Sequence, residues 1–366
     1  MIRLLVVDDS ALMRRLLLQL FEAEGDFEVR VARDAGEAMA ALVEFMPDVI
    51  TLDVQMPGAD GLECLDQIMI LRPTPVVMVS GVTREGAEET IRALELGAVD
   101  VAAKPTGAVS MKMDEFGPRL AAIVRAASGA RISRTRRLAE RVRARAQMIP
   151  PSQRPSRLAA RPAPPSEKAP AQPGAPRGLV VVGASTGGPP ALDALLMALP
   201  ATFPWPIVIA QHMPAAFTAA LARRLDTLTP LRVSEVGQAT PLQAGCVYVG
   251  RGDADMIVGV RPFGPVVMAA PSSPDFRWHP SVDRLTDSAL ACFPAANLFG
   301  VLMTGMGNDG AAAMTRLRKA GGRTIAEAEE TAVVWGMPGE LVKAGGAELV
   351  LPLDAIGPRL AELLAA

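Results

Sequence analysis

Twice along this chain, short apolar runs end in polar or glycine-rich turns and give way to stretches with helical periodicity. That alternation restricts the fold more than any other feature. In the first half, LLVVD (4–8), VRVA (29–32), PDVITLD (47–53), PVVMVS (75–80) and GAVDVAAKP (97–105) are strand candidates. Helix-like sequence follows each, from SALMRRLLLQLFEAE (10–24), which can take Ser10 as its cap, to MDEFGPRLAAIVRAA (113–127). In the second half, LVVVGAS (179–185) precedes PPALDALLMALP (189–200), a helix opening with proline in its first turn. PIVIAQH (206–212) precedes the helical FTAALARRL (217–225), and LFGVLMTGMG (298–307) and ELVLPL (348–353) read as strands around GAAAMTRLRKAG (310–321). CVYVG (246–250), MIVGV (256–260) and PVVMAA (265–270) read as a local β segment. This pattern predicts two doubly wound α/β domains with mainly parallel sheets and with function at the carboxyl ends of the strands.

At 366 residues the chain exceeds what one hydrophobic core usually serves, which also favours two domains. We place them at 1–125 and 179–366, joined by a basic, proline-rich linker at 126–178. From 125 to 177, thirteen Arg or Lys stand against two Glu, a composition that predicts an open spacer. A nucleic-acid tail is the rival reading of that charge run. Aromatic residues make up only 4% of the chain, too few for base-stacking platforms, and a net charge of -2 attracts neither nucleic acid nor an anionic membrane. No apolar run approaches the roughly 20 residues of a membrane span, and the opening MIRLLVVDDS turns acidic too early for a signal peptide. Cys64, Cys246 and Cys292 are too scattered for a disulfide framework or a zinc site. A cytoplasmic monomer is expected, with no nucleic-acid partner and no membrane insertion.

The first domain gathers charge at its strand ends. Asp8 and Asp9 end the first strand, Asp53 the third, Ser80 the fourth and Lys104 the fifth. Strand ends of a parallel sheet converge, and three carboxylates brought together need a hard cation such as Mg²⁺. A carboxylate beside Mg²⁺ and an ammonium group can attack a phosphoryl donor. Taken singly, each of these residues would read as a solvated strand-end group. The blocks VVDDS, DVQMPGADGLE, VMVSG and AAKPT, in this order over residues 1–125, resemble the signature of response-regulator receiver domains. The resemblance implies a flavodoxin-like fold with Asp53 as phosphoacceptor and a sensor histidine kinase as phosphodonor. It also implies Mg²⁺ held by Asp8, Asp9, Asp53 and the backbone carbonyl of Gln55, with Ser80 and Lys104 on the phosphoryl oxygens. Val101 departs from it, standing where many receivers carry an aromatic residue.

In the second domain, Gly183-Ala184-Ser185-Thr186-Gly187-Gly188 follows a strand and precedes a helix, the context in which G-x-S-x-G projects a serine hydroxyl from a sheet. A phosphate-holding turn is the alternative, although no lysine stands in P-loop spacing. The chain has two histidines, His212 at a strand end and His279 in FRWHPSVD. Taken alone, Asp309 in MTGMGNDGAAAM reads as a cap of the helix it precedes, and Asp283 and Asp287, both within one helical stretch, are weaker rival carboxylates.

VGASTGGP, QHMPAAFTAALARRLD, LMTGMGNDGA, HPSVDRL and VVWGMPG resemble the catalytic domain of chemotaxis-type protein-glutamate methylesterases, the CheB family, over 179–366. The order of receiver and catalytic domain is also that family's. The resemblance implies a Rossmann-like domain with Ser185 as nucleophile, His212 as general base and then acid, and Asp309 orienting His212. It places Thr186 and the N–H of Met306 at the oxyanion, with no cofactor for the esterase step. Methylated chemoreceptors are the implied substrates, with glutamine deamidation in some relatives. Two positions depart: Glu327 stands where the family usually has glutamine, and a histidine usual near Asp255 is absent. Both put substrate contacts in question. A phospho-dependent binding module without esterase turnover is the alternative function, and Ser185→Ala separates the two.

Overall fold

The computed structural model describes residues 1–56, 59–81, 83–105, 109–131 and 176–364. The chain divides into two compact units, Met1–Ala159 and Ala160–Ala366. The linker reading rests on 132–175, which lie outside the described residues.

Five parallel strands form the first unit: β1 (Ile2–Val7), β2 (Phe27–Ala32), β3 (Val49–Asp53), β6 (Val76–Ser80) and β7 (Asp100–Ala103). Their order, β2-β1-β3-β6-β7, is the flavodoxin-like doubly wound arrangement. A two-residue antiparallel ladder, β4 (Gln55–Met56) with β5 (Ala59–Asp60), follows β3. Every residue of β3 and β6 is buried, as expected for strands covered on both faces. The helix α1 (Ala11–Glu24) buries Met13, Leu17 and Phe21, four residues apart and so on one stripe. Its cap is the expected one, with the Ser10 side chain accepting from the Met13 N–H.

The second unit carries seven parallel strands in the order β10-β12-β9-β8-β15-β16-β17. They are β8 (Leu179–Ala184), β9 (Ile207–Gln211), β10 (Arg232–Val236), β12 (Cys246–Gly250), β15 (Leu298–Leu302), β16 (Arg323–Glu327) and β17 (Leu349–Leu351). The chain leaves β8 toward β9 on one side and returns to β15 on the other, so the strand order reverses beside β8. Open α/β sheets bind ligands in the crevice at such a reversal. A core of Val208, Val282, Leu285, Leu302, Met314 and Leu317, among others, packs the sheet against its helices. Among the described residues no helix is long and apolar enough to cross a membrane.

One expectation is corrected. CVYVG does not belong to a local β segment: β12 pairs in parallel with β9 and β10, inside the main sheet. Its five consecutive buried residues suit a strand covered on both faces. Only β13 (Asp255–Arg261), β14 (Gly264–Ala270) and β11 (Thr240–Pro241) make the antiparallel sheet. Strands β10 and β16 carry no sequence expectation at all. Their runs are short, with charge interrupting RVSEV and bounding RTIAE at both ends, which hides the apolar signal.

Candidate active site

In the first unit the strand ends bring Asp8, Asp9 and Asp53 together, with one carboxylate oxygen of each within 4.8 Å of the others. Asp8 and Asp53 are buried and Asp9 is exposed. The Lys104 ammonium donates to Asp53 Oδ2 at 2.6 Å and pairs with Asp8 Oδ2 at 2.9 Å. Burial pushes the Asp53 carboxyl up, and the hydrogen bond and charge of Lys104 only partly offset it. Burial would lower the Lys104 ammonium, but its bonds to Asp53 and Asp8 raise it above its ordinary value. Ser80 is buried beside this group, on a strand paired with both β3 and β7. The Gln55 N–H donates to Asp53 Oδ1 at 3.3 Å, which ties the loop beyond β3 to the acid. Val101 is buried within β7. A set of hard oxygens with one ammonium suits a divalent cation and a phosphoryl group.

In the second unit Ser185, His212 and the loop carrying Asp309 leave the ends of three adjacent strands. Register fixes the first two: Ala184 pairs with Gln211, so the next residues of β8 and β9 lie side by side. The His212 N–H donates to Ala184 O at 3.0 Å, and Gln211 Nε2 donates to Ser185 O at 2.9 Å. On the other flank the Ser185 N–H donates to Thr304 O at 2.9 Å. Gly305 must lack a side chain, because a Cβ there would lie 2.7 Å from the Ser185 Cβ and 2.4 Å from Met337 Sδ. At Gly187 the backbone is left-handed, with φ +77°, which turns the chain from the serine into the following helix, Gly188–Met197.

His212 Nε2 lies 2.9 Å from Asp309 Oδ2. An ionised carboxylate only accepts, so Nε2 carries the proton and Nδ1 is the basic nitrogen. Nδ1 is buried, and among the described residues it has no hydrogen-bond partner. Asp309 also accepts from Ser281 Oγ (3.0 Å), the Val282 N–H (2.7 Å) and the Asp283 N–H (3.0 Å). It therefore sits on the N-terminus of the helix Val282–Cys292, where backbone N–H groups and the helix dipole favour an anion. Burial pushes the Asp309 carboxyl up. The hydrogen bond and charge of His212, with the two N–H groups, outweigh it and hold the acid below the usual carboxylate range.

The contacts around the site bear on three sequence readings. Asp309 is no cap of its own helix: Gly310 is the cap there, without a side-chain bond, and Asp309 braces a helix from an earlier part of the chain. His279 spends Nδ1 on Asp255 Oδ1 at 2.9 Å, which leaves His212 as the histidine beside the serine. Asp283 accepts from the Ala313 N–H and Asp287 pairs with Arg316, so neither rival carboxylate orients His212. Glu327 is wholly buried and is not a cleft residue. It accepts from the Thr304 N–H at 2.8 Å and from Thr331 Oγ1 at 3.0 Å, behind the loop that touches Ser185. Thr186 is buried, with its carbonyl accepting from Thr304 Oγ1 at 2.9 Å, while Met306 follows Gly305 and is half-buried. Sequence reasoning passed over Ser281, Gln211 and Thr304. Ser281 alone carried a signal, as the serine before a helical stretch with Asp283 in its first turn.

Comparison with known proteins adds relatives to this geometry. The CheB methylesterase family model matches residues 180–360, and the response regulator receiver domain model matches residues 4–113. A Rhodopseudomonas palustris protein named protein-glutamate methylesterase/protein-glutamine glutaminase 2 is 55% identical over 362 residues, 99% of this chain and 98% of that protein. A Rhodospirillum rubrum protein named protein-glutamate methylesterase/protein-glutamine glutaminase 3 is 49% identical over 360 residues, 98% of this chain and 95% of that protein.

Proposed function

The chain belongs to the CheB methylesterase family, with a receiver domain ahead of the methylesterase domain, and on that basis we propose that it hydrolyses glutamate methyl esters on chemoreceptors. The observation that carries this reading is the His212–Asp309 hydrogen bond of 2.9 Å beside Ser185, at the reversal of the strand order. Ser185 Oγ attacks the ester carbonyl as His212 Nδ1 takes its proton. Asp309 holds the ring in the tautomer that leaves Nδ1 basic and balances the imidazolium that forms. The negative charge on the former carbonyl oxygen falls to backbone N–H groups. That of Met306 is a suitable donor, since among the described residues no backbone hydrogen bond consumes it; Thr186 directly follows the serine. His212 then protonates the leaving methoxide, methanol departs, and a water activated by His212 frees the glutamate. With a glutamine side chain, ammonia leaves by the same steps, in keeping with the double name of the relatives.

We further propose that phosphorylation of Asp53 by a sensor histidine kinase raises this activity. Asp8, Asp9, Asp53 and the backbone carbonyl of Gln55 would hold Mg²⁺, a fit supported by the convergence of three carboxylate oxygens within 4.8 Å. The cation supplies neutralising charge for the acids and the incoming phosphoryl group. Lys104 balances the product's charge and Ser80 donates to its oxygens.

The direct test supplies a receptor fragment carrying glutamate methyl esters and measures methanol. The wild type should release it and Ser185→Ala should not. Turnover that survives in the variant would remove Ser185 from the reaction.

A further inference from the structure

We propose that Trp278 is a positioning residue for His212, holding the flat face of the imidazole while Asp309 holds its edge. The inference rests on the reading of His212 as general base. The Trp278 ring lies parallel to the His212 ring, with centroids 5.4 Å apart and planes 12° apart. One edge of the indole closes over the loop that carries Met306 and Asp309, since a Cβ on Gly307 would lie 3.1 Å from Trp278 Cζ2.

A hydrogen bond at Nε2 fixes one corner of the imidazole but leaves the ring free to tilt about that corner. Tilt swings Nδ1 away from the serine. A parallel aromatic face removes this freedom, and it also suits the charged state. The imidazolium formed during attack spreads its charge over a flat ring, and an indole face within about 6 Å attracts a cation.

The indole is itself fixed. Arg277 places its guanidinium 5.0 Å from the Trp278 ring centroid. The loop is fastened around it by Asp255, which is buried and accepts from His279 Nδ1, the Ser273 and Ser281 N–H groups and the Arg284 guanidinium. Ser281 joins this anchor to the acid, since its N–H serves Asp255 while its hydroxyl serves Asp309. The Asp255–His279 pair, unused by the ester chemistry, thus acquires a task. The charged groups around the base are Asp309 in the ring plane and Arg277 beyond the indole; Asp283 directs its side chain to the Ala313 N–H instead.

The test uses the whole chain with a phosphodonor and a methyl-esterified receptor fragment. Trp278→Leu should lower kcat about tenfold with little change in KM, and Trp278→Phe should recover most of the loss. A second measurement needs no turnover. A protonated imidazole quenches a stacked indole, so tryptophan emission should fall in a step when the solution is acidified. That step should vanish in His212→Gln and in Trp278→Phe. An unchanged kcat in Trp278→Leu overturns the proposal, as does a loss confined to KM, which would make Trp278 a substrate contact. Absence of the emission step in the wild type overturns it as well. If the wild type released no methanol, the esterase reading would fall, while the emission step would still report the stack.

Discussion

Burial alone would push the Asp309 carboxyl up, yet the hydrogen bond and charge of His212 and the N–H groups of Asp283 and Val282 hold it below the usual range. Its folded value therefore lies under the unfolded one of about 3.9. Ionised Asp309 then contributes stability that is fully present above that pH and is lost as pH falls through the folded value. Asp309→Asn should destabilise the catalytic unit near neutrality and by progressively less as pH drops below about 4. Trp205, Trp278 and Trp335 are the three tryptophans, all in the second unit, so fluorescence-detected unfolding reads that unit alone. A stability gap independent of pH would contradict this account. An amide also donates where His212 needs an acceptor, so kcat should fall by about 10⁴ even where the fold survives. From sequence this residue rested on family resemblance, because its short-range reading as a helix cap competed. The structure shows why the sequence context misled: the cap exists, but on a helix that begins at Val282.

At the scale of elements, the site depends on one helix start and three strand-to-loop turns. The Ser281 hydroxyl accepts from the Arg284 N–H to begin the helix Val282–Cys292 and donates to Asp309. Ser281→Ala should cost about 1 kcal/mol of stability through the lost cap. It should also lower kcat about tenfold, the worth of one hydrogen bond to a charged group. Thermal unfolding and steady-state kinetics on the same sample separate the two effects, and an unchanged kcat would mean that Asp309 needs no support from Ser281. The strands and turns that carry Asp8, Asp53, Lys104, Ser185 and His212 were legible in the sequence, since continuous apolar runs of β-branched residues end there in polar or glycine turns. Strands β10 and β16 were not legible, because charged residues interrupt the one and bound the other and the main sheet supplies their pairing. The misreading of CVYVG has a related cause: an apolar run shows burial but not which neighbour it pairs with. Trp278 stood in a quoted motif, but its contact with His212 links positions 66 residues apart and leaves no local pattern.

For the molecule as a whole, the proposed phosphoryl site belongs to one unit and the proposed ester site to the other. The acids of the first unit should need Mg²⁺ to accept a phosphoryl group, whereas the second unit should need no cofactor. Chelation of Mg²⁺ should therefore abolish phosphorylation of Asp53 and leave ester hydrolysis by a fragment of residues 179–366 unchanged. A rate that falls in that fragment would place a metal in the ester chemistry. Asp53→Asn should keep basal turnover and lose its response to a phosphodonor. The central claim, a serine hydrolase under phosphate control, is tested most directly by methanol release from a methylated receptor fragment. The whole chain would be assayed with and without phosphodonor, as wild type, Ser185→Ala and Asp53→Asn. The account predicts a rate that rises with the donor in the wild type, stays at its basal level in Asp53→Asn and is absent in Ser185→Ala. Donor-stimulated methanol release from Ser185→Ala would contradict it.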